Sequence, residues 1–146
     1  MKPRVLMTGI ALLGTLAAGA ARAGFDVDDG RLEGRWRVVS IEAKGVKLDA
    51  HDYVGGTWAL REGRLALQAR DARKSQNLVL DSDPEKTPPR VTITGGAGRR
   101  YPLKGIYRLE GDVLTLCLEV GGERVPERFG TCAGDRREQW TLRRLR

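Results

Sequence analysis

An alternation of period two runs through almost the whole chain after its first two dozen residues, and it leaves little room for anything but antiparallel β structure. Leu65, Leu67 and Ala69 alternate with Arg64, Ala66 and Gln68, and Val91 and Ile93 with Thr92 and Thr94. Leu103, Gly105, Tyr107 and Leu109 oppose Lys104, Ile106 and Arg108, while Leu114, Leu116 and Leu118 oppose Val113, Thr115 and Cys117. Successive side chains of a strand point to opposite faces, so these runs mark strands with one buried face. Turn signals separate them at Lys44-Gly45, Glu62-Gly63, Gly95-Gly96, Glu110-Gly111 and Gly121-Gly122, and a proline-bearing loop spans 83–90. Strands are predicted at roughly 34–43, 54–61, 64–69, 76–82, 90–94, 101–109, 112–119 and 137–145; only 48–53 reads as a helical turn. Mostly short connections give an up-and-down meander, and eight strands remove their edges by closing. The expected fold is therefore all-β, a small eight-stranded antiparallel up-and-down barrel. A two-sheet sandwich would need long crossovers, for which few segments exist.

The first 23 residues stand outside this pattern. Lys2 and Arg4 precede an apolar stretch from 5 to 21, and Ala21-Arg22-Ala23 supplies the small-x-small site of a signal peptidase. The chain is expected to be exported, to the periplasm or beyond, with its mature form beginning at Gly24 and no membrane-spanning segment left after cleavage. Residues 24–31 form a polar N-terminal segment and 32–146 the barrel domain. Loss of Lys2, Arg4 and Arg22 lowers the net charge from +7 to +4. The remaining basic residues alternate with acids rather than gathering around stacking aromatics, so no nucleic-acid partner is expected.

Two features sharpen the barrel. Gly34-x-Trp36 opens the first strand, and by alternation Arg144 of the last strand shares a face with Trp140 and Leu142. A glycine there lets the chain turn beneath the floor, and an arginine can lie across the indole as a cation-π partner. This arrangement resembles that of the lipocalins and wider calycins, whose G-x-W and terminal Arg close one end. A closer resemblance covers about 32–145. Gly34-x-Trp36, Leu80-Asp81 with Pro88 and Pro89, the run from Gly105 through Tyr107, Gly111 and Asp112 to Cys117, and Pro126-x-x-Phe129 resemble an uncharacterised exported domain family abundant in planctomycetes. Its members carry a GIY-x-x-x-GD-x-L-x-x-C hairpin and an RP-x-x-F element. Val125 replaces that arginine and Thr92 stands where an acid is common. The resemblance implies a lipocalin-like barrel and supplies no activity.

Little in the chain looks catalytic. In Glu110-Gly111 the glycine suits a turn, and Asp112 is expected to accept backbone N–H bonds at its exit. A turn tip offers neither the burial nor the neighbours that tune an acid-base pair. The one histidine, His51, sits in a polar connection and reads as exposed or capping. Asp81-x-Asp83-Pro-Glu85 starts like a calcium loop, but Lys86 and Thr92 occupy the places of its glycine and glutamate, so no metal or cofactor is expected. Cys117 and Cys132, the two cysteines, are expected to pair after export, closing a loop worth about 3 kcal/mol in the chain-entropy model.

The expected function is non-catalytic: an exported, monomeric barrel binding a small apolar or amphipathic ligand. The alternative is an envelope protein-interaction or protease-inhibitor-like domain with a filled core, 25–31 serving as its protruding segment. In a meander the Trp36 end is the floor, and the connections at 44–53, 70–75, 95–100 and 121–136 gather at the other end. Tyr53, Tyr101 and Phe129 are therefore the candidate ligand-binding residues. Gly34, Trp36, Gly105, Tyr107, Gly111, Asp112, Trp140 and Arg144 are read as structural.

Overall fold

The computed structural model describes residues 28–95, 102–121 and 124–146. The expected leader at 1–23, residues 24–27 and Tyr101 lie outside them. After one 3-10 turn, Gly30–Leu32, the chain forms β1 (Gly34–Ala43), β2 (Val46–Lys47), β3 (Thr57–Arg61), β4 (Arg64–Gln68) and β5 (Ser75–Asp83). It continues through β6 (Arg90–Gly95), β7 (Leu103–Glu110), β8 (Val113–Glu119) and β9 (Arg137–Arg144). Every neighbouring pair is antiparallel, and β1 pairs with β9, so β1 and β3 to β9 close an eight-stranded lipocalin-like barrel. The two-residue β2 is an arm folded back on the end of β1.

The alternation places the core as expected. Trp36, Val38 and Ile41 of β1, Trp58 of β3, Tyr107 of β7 and Trp140 of β9 point inward with the leucines and valines of the other strands, in one continuous cluster. Val39 is the extra residue where the β1–β9 register shifts between Val38 and Ser40, and it faces solvent. Such a bulge bends its strand. Beyond it β1 leaves β3, whose pairing ends at Arg37–Thr57, and β2 takes over at Glu42 and Ala43. Residues 54–56, expected in β3, are thereby drawn into the preceding connection.

The floor is built from residues 28–33 passing under the barrel. Leu32 is buried, and its carbonyl accepts the Trp36 indole N–H at 2.9 Å. The Arg144 guanidinium carbon lies 4.2 Å from the centre of a Trp36 ring, and its Nη1 and Nη2 donate to the carbonyls of Glu33 and Arg31 at 2.9 and 2.7 Å. Gly34 has φ of 126°, and a Cβ there would come within 3.0 Å of Arg144 Nη1, so backbone shape and space both ask for glycine. The buried Asp29 carboxylate accepts from Tyr107 Oη at 2.9 Å and from Arg31, while its backbone N–H reaches Ser82 Oγ at 2.7 Å. From Asp28 onward, then, the N-terminal segment is tied into the floor rather than free to protrude. Asp112 also differs from expectation: its carboxylate faces the guanidinium groups of Arg144 and Arg146 instead of backbone N–H groups. The two-residue loop joining β7 to β8 is Gly111-Asp112.

The connection 120–136 leaves and returns at the end opposite the floor, Val120 N–H bonding Arg136 O at 2.6 Å, but its middle folds over the outer wall. Gly130 N–H donates to Gln139 Oε1 at 2.6 Å, Thr131 Oγ1 donates to Glu42 Oε2 at 2.7 Å, and Gly45 N–H donates to Thr131 Oγ1 at 2.9 Å. This strap buries the outward-facing Ile106 and Cys117. Gly105 belongs to the same wall, since a Cβ there would sit 2.3 Å from Cys117 O.

Two expectations are corrected here. Phe129 is not at the ligand end: its ring lies 4.5 Å from the Arg108 guanidinium on the outside of β7, held there by the strap. Cys117 and Cys132 are unpaired. The Cys117 thiol is buried with Sγ 3.8 Å from Gly130 O, and burial pushes its pKa up, whereas the exposed Cys132 lies beside Gly45 in the β1–β2 turn.

Candidate functional site

The end opposite the floor is covered by residues 44–56, and their path follows from local bonding. Lys44 and Gly45, with φ of 54° and 78°, make the tight hairpin turn into β2, and Leu48 N–H then bonds Ile41 O at 2.8 Å. Three successive turns follow, His51 N–H to Leu48 O, Val54 N–H to His51 O and Gly56 N–H to Tyr53 O, each near 3 Å. The helical turn expected at 48–53 is thus a chain of turns. Gly55 and Gly56 return the segment to Val38 at the bulge, and a Cβ on Gly56 would sit 2.2 Å from Gln68 O. The result is a lid whose Leu48, Tyr53 and Val54 pack down on the core.

From the lid inward the aromatic rings form one cluster of tilted and edge-on pairs. His51 lies 5.9 Å from both Tyr53 and Trp140, Tyr53 is 6.3 Å from Trp140, and Trp140 is 6.3 Å from Trp58, centre to centre. Such spacings lie within the favourable range for aromatic pairs. Gln76 Nε2 donates to Tyr53 Oη at 2.9 Å, His51 Nδ1 accepts the Tyr53 backbone N–H at 3.1 Å, and Trp140 Nε1 donates to Glu138 Oε1 at 3.1 Å. At the outer rim Lys74 Nζ meets Asp52 Oδ2 at 2.5 Å, which holds the Asp52 carboxyl below and the Lys74 ammonium above their ordinary pKa values. Both groups are exposed, so solvent screens this tie.

One polar atom in this layer is unsatisfied. The Trp36 and Trp140 indoles donate to Leu32 O and Glu138, but Nε1 of Trp58 has no partner, although the side chain is only 2% exposed. Among the described residues it is the one buried side-chain polar atom left without a hydrogen bond.

Of the residues singled out in the sequence, Tyr53 belongs to this site and Phe129 does not. Trp140, read as structural, is the ring that joins lid to interior, and Trp58, Gln76 and His51 were not foreseen there. The inward parity of Trp58 in β3 was a signal for it. His51 uses Nδ1 on backbone, and Cys117 lies outside the barrel, so neither forms a nucleophile-base couple with the other. Asp83 Oδ1 accepts Glu85 N–H at 3.2 Å, making 83–85 a polar turn. Among the described residues no three His, Cys, Asp or Glu side chains converge as a metal ion would require. No family model matches the chain, and neither a curated protein nor a solved structure matches it.

Proposed function

We propose that this is an exported, non-catalytic barrel that takes a small, largely apolar ligand under the 44–56 lid, as its resemblance to lipocalin-like exported domains implies. The observation that carries the reading is the Trp58 indole N–H, buried without an acceptor on a ring that packs against Trp140. A buried donor left unmade costs about 1–3 kcal/mol, a cost relieved when a ligand oxygen arrives. Aromatic walls around one oriented polar group are the usual composition of small-molecule sites. Because Trp36, Tyr107, Trp58 and Trp140 already occupy much of the interior, the ligand is small and sits near the lid. The same bulk favours the second reading, an envelope protein-interaction domain with a filled core.

Native mass spectrometry of protein purified from its own envelope, followed by titration with anilinonaphthalene sulfonate as an apolar probe bearing acceptor oxygens, separates the two. Co-purification of a small molecule, with probe binding weakened up to about ten-fold in Trp58→Phe, is expected, since a single hydrogen bond is worth roughly 0.5–1.5 kcal/mol. Equal probe binding by wild type, Trp58→Phe and Tyr53→Ala would place the interaction-domain reading ahead.

A further inference from the structure

The outer wall beside the strap carries charge of one sign across β9, β1, β3 and β4. Arg37 of β1 stands directly across from Arg143 of β9, and Arg61 of β3 directly across from Arg64 of β4. Arg35 shares the outer face of β1 with Arg37, and because it pairs with Ala59 it is the diagonal neighbour of Arg61. The five arginines therefore form an unbroken series across four strands. All are exposed, and none makes an ion pair among the described residues. Arg37 alone is tethered, its Nη1 donating to Gly55 O at 3.0 Å. Of the nearby acids, Asp81 on the outer face of β5 stands diagonal to Arg64 at the end of the series, and the others are engaged or at the rim. Glu42 accepts from Thr131, Asp112 holds Arg144 and Arg146, and Glu33 and Glu62 sit at the floor rim, where Glu33 Oε2 accepts Glu62 N–H.

Like charges directly opposite on neighbouring strands destabilise a sheet, and this wall holds two such pairs. The arrangement makes sense when an anionic surface supplies the missing countercharge. We infer that the β9–β1–β3–β4 wall docks on the anionic headgroups of a lipid bilayer. A bilayer fits better than a polymer for three reasons. The charge spreads over about 14 Å across the strands, at about 4.8 Å per spacing, instead of following one line. None of the described aromatic side chains lies on this wall, so it offers no platform on which bases could stack. Small residues, Ala59 and Ala66, stand between the arginines, so the guanidinium groups are the first atoms a flat surface meets, each able to take a phosphate in a two-point contact. Val39, 48% exposed on the same face of β1, adds an apolar contact at the interface.

The test is sedimentation of the protein with vesicles of phosphatidylcholine alone and with vesicles containing phosphatidylglycerol, at low and high salt. Binding to the anionic vesicles only, lost at high salt, is expected. Each arginine near such a surface strengthens partitioning about five-fold, so Arg37→Gln, Arg61→Gln and Arg143→Gln combined should weaken it about a hundred-fold. That variant should melt no lower than wild type, because two like-charge contacts are gone. A control with the same net charge, Arg73→Gln, Arg90→Gln and Arg128→Gln, should bind nearly as wild type does. The proposal is overturned if both triple variants bind alike, if neutral vesicles bind as well as anionic ones, if nothing binds at low salt, or if soluble polyphosphate binds while vesicles do not.

Discussion

The two ends of the barrel are closed by different physics. At the floor, polar groups are matched one to one: Trp36 Nε1 with Leu32 O, Arg144 with two carbonyls and an indole face, Asp29 with Tyr107 and Arg31. At the lid, rings lie on rings, the rim tie is exposed, and the Trp58 donor is unmatched. A matched polar plug fixes one geometry, because every displacement strands a partner. A layer of aromatic contacts tolerates sliding at little cost. The floor thus acts as the fixed reference of the fold, and the lid is the end at which change is cheap.

That contrast can be broken at its strong end first. Trp36→Ala removes a side chain with 0% exposure together with the ring under Arg144, and a loss of about 3–5 kcal/mol in denaturant titration is expected. A loss below about 1 kcal/mol would make the floor peripheral. Asp29→Asn should cost about 1–3 kcal/mol, the scale of charge-assisted hydrogen bonds. The Arg31 hydrogen bond, followed by that of Tyr107, holds the Asp29 carboxyl below its ordinary range despite burial. Its contribution is therefore fully present above the unfolded value near pH 4 and is lost as pH falls through the lower folded value. The stability gap between wild type and Asp29→Asn should close over that acid range; a gap independent of pH would remove the carboxylate from the plug.

At the weak end, Tyr53→Ala is expected to cost about 1–2 kcal/mol, less than a fully buried aromatic. It should also raise acrylamide quenching of tryptophan fluorescence, because Trp140 and Trp58 lose their cover. Unchanged quenching would mean that Tyr53 does not seal the barrel. Smallest of all, Asp112→Ala should shift stability by about 0–1 kcal/mol, since its arginine partners are partly exposed.

The strands were legible because burial on one face writes itself into every second residue. The floor was legible in part, as Gly34, Trp36 and Arg144 carry their roles in their types. The Asp29–Tyr107 bond was not, since it joins residues 78 apart and nothing in either local stretch points to the other. The path of 120–136 was misjudged for a similar reason: connections have no period, and tertiary contacts alone decide which way they fold. A trace of it was nonetheless present. Ile106 and Cys117 are apolar at outward positions, and an outward apolar pair announces that something must cover it. At the lid, alternation put Trp140 on one face with Leu142 without giving its height in the barrel, and Trp58 was assigned no face, so their meeting with His51 and Tyr53 went unread.

The strap has a consequence for the order in which the molecule can be completed. Arg144 reaches carbonyls 111 and 113 residues earlier in the chain, so the seam between β1 and β9 is the last to become available during synthesis. Until then β1 presents unpaired N–H and C=O groups, the kind of edge that invites pairing between chains. Thr131, which reaches both Glu42 and Gly45, is made just before β9 and spans the same gap from outside. In the folded chain the strap bonds Gln139 of β9 on one side and Glu42 of β1 on the other, so it covers from outside the seam at which that edge is closed.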